Sequence, residues 1–283
     1  MGIVAGVSDI TNEDLLAFAM HGFVVKRGFF APEEMATLLH AFNVDAAIRN
    51  RAYGVDDGQG GATEIALWNT PGDDSFGAIA RGERLVRSAE TLLGGEVYHY
   101  HSKITMKRPA TGGTWVWHQD YGYWYQNGCL RPDMLTVAVP LTPNNPANGC
   151  LTVLQGSHLM GRIDHGYVGK QTGADPERVA VAEQHLPLIA FEAEPGDVMF
   201  FHCNTLHTSA PNRSDVERNL LLVAYNTRAN DPYREHHHPR YTPIDVLPDS
   251  EILARSDLHD GEARVFLNPV ADQSIAGFEN LAG

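Results

Sequence analysis

From Val97 to Tyr225 the chain repeats one pattern: short runs with apolar side chains on alternate residues, cut at close intervals by turn signals. Residues 98–107, 114–121, 135–141, 151–154, 188–191, 198–202 and 220–225 have period two or a short β-branched and aromatic run, so each reads as a strand. Proline, glycine and asparagine clusters separate them, at 109–113, 143–149, Gly156, Glu194-Pro195-Gly196-Asp197 and Pro211-Asn212. Strands this short need partners on both edges. With no helical period between most of them, the economical arrangement is an antiparallel sandwich or closed barrel of the jelly-roll or cupin kind. The expected fold class is therefore mainly β with flanking helices, a double-stranded β-helix preceded by a helical N-terminal region.

The chain ahead of Val97 reads differently. Residues 8–20 predict a helix, with Asp9 or Thr11 as cap, Glu13 and Asp14 in the first turn and Leu15, Leu16, Phe18 and Ala19 as apolar stripe. Phe23-Val24-Val25 is a short strand. Pro32 opens a second helix carrying Met35, Leu38, Leu39 and Phe42 at helical spacing. Residues 50–77 are rich in Gly, Asp and Asn and predict a long loop over one mouth of the fold, and 76–93 a further helix stopped by Gly94-Gly95. Residues 161–184 predict a polar insertion with a short helix near 176–181. The expectation is one domain over 1–283: a helical part at about 8–95, a β-barrel core at about 96–226 and a C-terminal loop region at 227–283.

Composition narrows the function. The 283 residues carry 21 Lys and Arg against 35 Asp and Glu, a formal net charge of −14. Phosphate backbones and anionic membranes are bound through Lys and Arg, so the expectation is no nucleic acid and no membrane partner. No stretch approaches the ~18 apolar residues of a membrane span, and the N-terminus lacks the basic and apolar regions of a signal peptide. Cys129, Cys150 and Cys203 form no CxxC, which suits a reduced, cytoplasmic protein. A small-molecule substrate is the expected partner, and a homo-oligomer is left open.

Chemistry concentrates in Thr114 to Leu130, TWVWHQDYGYWYQNGCL. His118 and Asp120 stand two apart, on one face if the segment is a strand, so both can point at one atom. Alone, a His-x-Asp is more often a strand end with a capped turn. A third group changes the weight: His207 follows the turn Pro195-Gly196-Asp197 and the strand at 198–202, in the loop just beyond it. Two imidazoles and one carboxylate on one side of a metal, with the other side open, is the ligand set of non-haem Fe(II) oxygenases. Three ligands leave room for a chelating 2-oxo acid and O2. The far carboxylate of such a cosubstrate calls for a fixed guanidinium, and Arg218, at the head of the strand after His207, is the candidate. Tyr123 and Trp124 could wall a substrate pocket or simply fill the core. His165 sits in the polar insertion and is a candidate substrate contact. His158 reads as a structural histidine, and His236-His237-His238 as a folded loop near the mouth.

With these segments in view, WHQDYGYW, ANGCLTVLQGSH and EPGDVMFFH…LHTSAPNRS…R resemble the phytanoyl-CoA dioxygenase family of Fe(II)/2-oxoglutarate oxygenases, and the aromatic run most resembles its ectoine-hydroxylase branch. The resemblance implies Fe(II), 2-oxoglutarate and O2 as cofactors, with His118, Asp120 and His207 as iron ligands and Arg218 and Ser209 holding 2-oxoglutarate. Alignment on His118 brings His101 and Thr105 to the strand that contacts the cosubstrate. A carboxylate at Asp120, where related halogenases have Gly or Ala, favours hydroxylation or desaturation. Gln126-Asn127 replaces the acidic pair of ectoine hydroxylases, so the substrate is not given by the likeness. The function expected is dioxygenation of an unactivated C–H of a small metabolite. The alternatives are a cupin-like protein that binds or senses a metal or 2-oxo acid without turnover, and a non-oxidative metalloenzyme.

Overall fold

The computed structural model describes residues 8–256 and 264–267. In chain order its strands are β1 (Phe23–Lys26), β2 (Tyr53–Asp56), β3 (Ala62–Trp68), β4 (Val97–Lys107), β5 (Trp115–His118), β6 (Met134–Pro140) and β7 (Leu151–Leu154). There follow β8 (His165–Val168), β9 (Gln171–Ala174), β10 (Leu188–Ala190), β11 (Val198–His202), β12 (His207–Ser209) and β13 (Arg218–Thr227). Seven of them form one antiparallel sheet in the order β1-β11-β6-β13-β4-β3-β2. A smaller antiparallel sheet, β10-β7-β12-β5, packs against it to make the jelly roll, and β8 and β9 form a separate hairpin.

Both faces of the large sheet are buried, which explains the near-continuous apolar runs of its central strands. On β13, Leu221 and Val223 join Val137, Val139 and Phe200 in a core shared with the helices, whose contributions include Phe18, Leu38, Phe42 and Ile79. Leu220 and Leu222 point the other way and meet Leu151 and Val153 of the small sheet, with Phe201 and Phe191. Strand alternation thus sorts one sequence into two cores. The helices start where local chemistry allows. Thr11 and Asp14 form a capping box for the helix Asn12–His21, and Pro32 occupies the first turn of Pro32–Val44. Gly22 ends the first helix at φ +82, and a Cβ there would lie 2.5 Å from His158 Nδ1. That close approach excludes any larger residue.

Several expectations need correction. Residues 50–77 are not one loop: after the helix Ala46–Arg51 they form the β2–β3 hairpin on the edge of the large sheet. The Gly and Asp content belongs to the turn, where Asp57 Oδ1 accepts from Gln59 N at 2.8 Å and Gly61 N at 2.9 Å. The helix expected at 76–93 is broken at Gly82 into Ser75–Arg81 and Glu83–Leu93. The insertion at 161–184 contains the β8–β9 hairpin as well as a helix, Pro176–His185. The strand expected at 114–121 stops at His118, and Asp120 opens the short helix Asp120–Trp124. His207 lies not in a loop but at the start of β12.

The C-terminal part is tied back to the helical layer. Arg264, 1% exposed, pairs with Asp45 at 2.6 Å and with Asp74, and lies over the rings of Trp68 and Phe76. Asp74 caps Ser75–Arg81 through Gly77 N. Among the described residues no helix is long and apolar enough to cross a membrane. Removing a buried charge that neutralises two others leaves both unpaired, at a cost of about 3–5 kcal/mol. Arg264→Met is expected to lower the melting temperature by roughly 10 °C, measured by circular dichroism. Adding Asp45→Asn and Asp74→Asn should recover part of the loss.

Candidate metal centre

β12 runs antiparallel to β5 with His207 directly opposite His118, and their ring centroids are 4.0 Å apart. Each imidazole is held by the backbone two residues before it. His118 Nδ1 donates to Val116 O and His207 Nδ1 to Thr205 O, both at 2.9 Å. A carbonyl only accepts, so Nδ1 carries the proton and Nε2 keeps its lone pair. Burial pushes both rings well toward the neutral form, with the neighbouring His207 adding to the effect at His118. Neutral imidazole is the form that binds a metal.

Asp120 completes the group from the first turn of its helix. Gln119 between the two ligands is extended, at φ −115 and ψ 135, so residues 118 and 120 still share a side. Thr136 Oγ1 on β6 donates to Asp120 Oδ2 at 2.7 Å, which leaves Oδ1 turned to the histidines. His207 Nε2 lies 3.9 Å from Oδ1, too far for a hydrogen bond. One donor atom from each of His118, Asp120 and His207 lies within 4.8 Å of the others, and all three residues are buried. Three buried donors, each steadied by a second group and none bonded to another, fit a divalent metal held through two nitrogens and one oxygen.

Gln119 locks this corner. Its amide donates to Gly161 O at 2.8 Å and Asn204 O at 2.7 Å and accepts from Ile163 N at 2.7 Å. The loop leading to His207 is thereby bound to the segment carrying His118. His165, expected to contact substrate, instead serves here: Nε2 accepts from Gln119 N at 2.9 Å and Nδ1 donates to Ile163 O at 2.8 Å. Both nitrogens are used inside the protein, so that expectation is corrected. His165 packs so closely on Gly122 that a Cβ there would lie 2.3 Å from the ring.

Arg218 heads β13 and is 2% exposed. Nη1 donates to Thr105 Oγ1 at 2.9 Å and Nη2 to Gly149 O at 3.1 Å, while Nε is buried without a partner. Among the described residues no carboxylate pairs with it. Burial brings its pKa down to about 10, so it stays charged at neutral pH. The cavity it lines also contains Ser209, Thr105, Lys103, His118 and His207. A buried, unneutralised cation a short way from a metal-ligand group calls for an anion between them.

A second cavity of about 280 Å³ adjoins the first, sharing Ile65, Lys103, Trp115 and His118 with it, and is walled by Trp115, Tyr123, Trp124 and Tyr167 and by Gln171 and Lys170 of the β8–β9 hairpin. β4 connects the two cavities. Thr105 meets Arg218, Lys103 lines both spaces with Nζ 3.8 Å from Asp120 Oδ1, and His101 lines only the second. Two steps along a strand separate His101 and Thr105 each from Lys103, so Thr105 lies beside Arg218 and His101 at the far end of the row. Tyr123 and Trp124 do wall a pocket. Thr136, Lys103 and Gln119 were not singled out in the sequence, although a threonine and a lysine at inward positions of apolar strands are a usable signal. His238 reaches the second cavity and stacks on His101 at 4.8 Å, so the triple-histidine loop does sit at the mouth. His158 lies apart, bonded to Ala19 O at 3.1 Å. Thr136→Val keeps the shape and removes the bond that aims Asp120. Fe(II) affinity, titrated under nitrogen, is expected to fall about 10- to 100-fold with thermal stability little changed.

Comparisons with known proteins agree with this geometry. Residues 18–220 match the family model described as phytanoyl-CoA dioxygenase (PhyH). The ectoine dioxygenase of Bordetella parapertussis is 29% identical over 237 residues, 78% of this chain and 77% of that protein. The L-proline trans-4-hydroxylase of Streptomyces griseoviridis is 31% identical over 194 residues, 63% of this chain and 71% of that protein. The crystal structure of EctD from S. alaskensis with 2-oxoglutarate and 5-hydroxyectoine superposes with a TM-score of 0.72 at 24% identity, covering 87% of this chain and 90% of that one. With the match spanning most of its length, this chain belongs to the phytanoyl-CoA dioxygenase family.

Proposed function

We propose that His118, Asp120 and His207 bind Fe(II), that Arg218, Thr105 and Ser209 hold the distal carboxylate of 2-oxoglutarate, and that the second cavity receives the substrate. The chain is a 2-oxoglutarate-dependent non-haem iron dioxygenase that oxidises a C–H bond of a small molecule. The observation that carries the cosubstrate assignment is Arg218, a buried guanidinium without a carboxylate partner, in one cavity with the ligand histidines. Relatives named for dioxygenation of ectoine and hydroxylation of L-proline support a compact metabolite as substrate and hydroxylation as outcome. A volume of about 280 Å³ is at the small end for ligand pockets. Bound iron supplies O2 activation coupled to decarboxylation of 2-oxoglutarate to succinate and CO2.

The chain's own residues supply placement. Val116 and Thr205 carbonyls fix the two imidazoles, and Thr136 fixes the carboxylate. Arg218 and Thr105 would hold the cosubstrate by its distal carboxylate in the cavity that His118 and His207 also line. Tyr123, whose hydroxyl donates to Thr172 O at 2.7 Å, and Trp124 exclude water on the substrate side. We read 1–283 as one dioxygenase domain, and three buried cysteines without a disulfide suit the cytoplasm. Iron-loaded wild type is expected to form succinate from 2-oxoglutarate. Arg218→Met should raise the KM for 2-oxoglutarate about 100-fold or more, with Arg218→Lys losing less. An unchanged KM in Arg218→Met would move the cosubstrate elsewhere.

A further inference from the structure

The charges around the second cavity are one-sided. The carboxylate on its wall is Asp120, already bonded to Thr136 and facing the ligand histidines. Its cations are Lys170 and Lys103. Lys170 is paired with Asp56 at 2.7 Å, on the outer rim, and is mostly exposed. Lys103 is different: its side chain is 16% exposed, and its nearest carboxylate oxygen, on Asp120, is 3.8 Å away. Once a metal draws on that carboxylate, Lys103 is left as an enclosed cation without a counter-ion. Beside it His101, 3% exposed, has a buried Nδ1 with no partner. Its ring is held against Trp124 at 5.7 Å and His238 at 4.8 Å, and His238 is itself anchored on Asn69 Oδ1 at 2.9 Å. In a chain of net charge −14, the one carboxylate on this wall is thus the metal-ligand candidate Asp120, beside a lysine and a hydrogen-bonding imidazole.

We propose that the substrate is a small carboxylate whose anionic group is read by Lys103 and His101, with its apolar or ring body against Trp124 and Tyr123. This rests on the dioxygenase reading, which assigns the first cavity to the cosubstrate. A cationic substrate would meet Lys103 and no free carboxylate, so the same pair rejects it. Alternation along β4 puts all three on one face, and position along the strand divides them: Thr105 lines the cosubstrate cavity, His101 the substrate cavity, and Lys103, which borders both, is assigned to the substrate anion.

The test uses the enzyme loaded with Fe(II) and 2-oxoglutarate under nitrogen. Trp124 and Trp115 line the cavity, so binding is read as a change in tryptophan fluorescence. The probes are matched pairs: L-proline and L-prolinamide, phenylacetate and phenylacetamide, benzoate and benzamide. At least one carboxylate is expected to bind about tenfold or more tighter than its amide. Lys103→Met and His101→Phe, which keep chain length and ring, should each erase that preference, Lys103→Arg should restore it, and 2-oxoglutarate affinity should stay within about twofold. Equal binding of acids and amides, or no response to any acid while 2-oxoglutarate still binds, would overturn the proposal. So would a loss of 2-oxoglutarate affinity in Lys103→Met, which would give the lysine to the cosubstrate. Failure of 2-oxoglutarate to bind wild type would instead overturn the dioxygenase reading.

Discussion

The antiparallel pairing of β12 with β5 is the contact on which the site depends. Three residues of β12 lie between β5 on one side and β7 on the other, and that register sets His207 opposite His118. A one-residue slip would turn His207 to the other face and dissolve the triad. The register is held from outside the strands as well. Gln119 bonds both the segment at 161–163 and Asn204, and Thr205 Oγ1 donates to Gly22 O at 2.8 Å. The helical layer therefore contributes to the geometry of the triad through the backbone at the end of its first helix.

Strand period does the remaining arrangement. Among the inward residues of β4 and β13 are several polar ones: His101, Lys103 and Thr105 on one strand, and Arg218 beside Leu220 and Leu222 on its neighbour. Each is costly to bury without a partner. Thr105 and Gly149 meet part of the need of Arg218, and the unmet part defines where anions must bind. Lys107, opposite Arg218 in register, is also fully buried, and it donates to Ser209 O at 3.1 Å and to Ala210 O. It braces the end of β12 that carries Ser209 into the cavity.

The β core was legible because both faces of the large sheet are apolar, so period and composition pointed the same way in residues 98–107, 135–141, 198–202 and 220–225. The triad and Arg218 were legible from other signals: the His-x-Asp spacing at 118 and 120, the place of His207 just past the strand at 198–202, and Arg218 at the head of the strand at 220–225. What escaped had weak local signals. β2 and β3 hide around a Gly and Asp turn, and β12 is a three-residue strand, His-Thr-Ser, with no apolar period of its own. Asp120 was placed on a strand because Tyr121 to Tyr125 are as compatible with β as with a helical turn. The roles of His101 and His165 could not be read from spacing. Thr105 lines the first cavity and His101 the second, four residues apart on one strand, and the partners of His165 come from Gln119 and Ile163 through tertiary packing.

The most direct measurement is the visible spectrum of the Fe(II)-loaded protein under nitrogen as 2-oxoglutarate is added. The account expects a weak charge-transfer band that saturates with one 2-oxoglutarate per chain, because His118, His207 and Arg218 share one cavity. A folded, iron-loaded protein that develops no such band would contradict it, and would leave a metal site without an oxygenase.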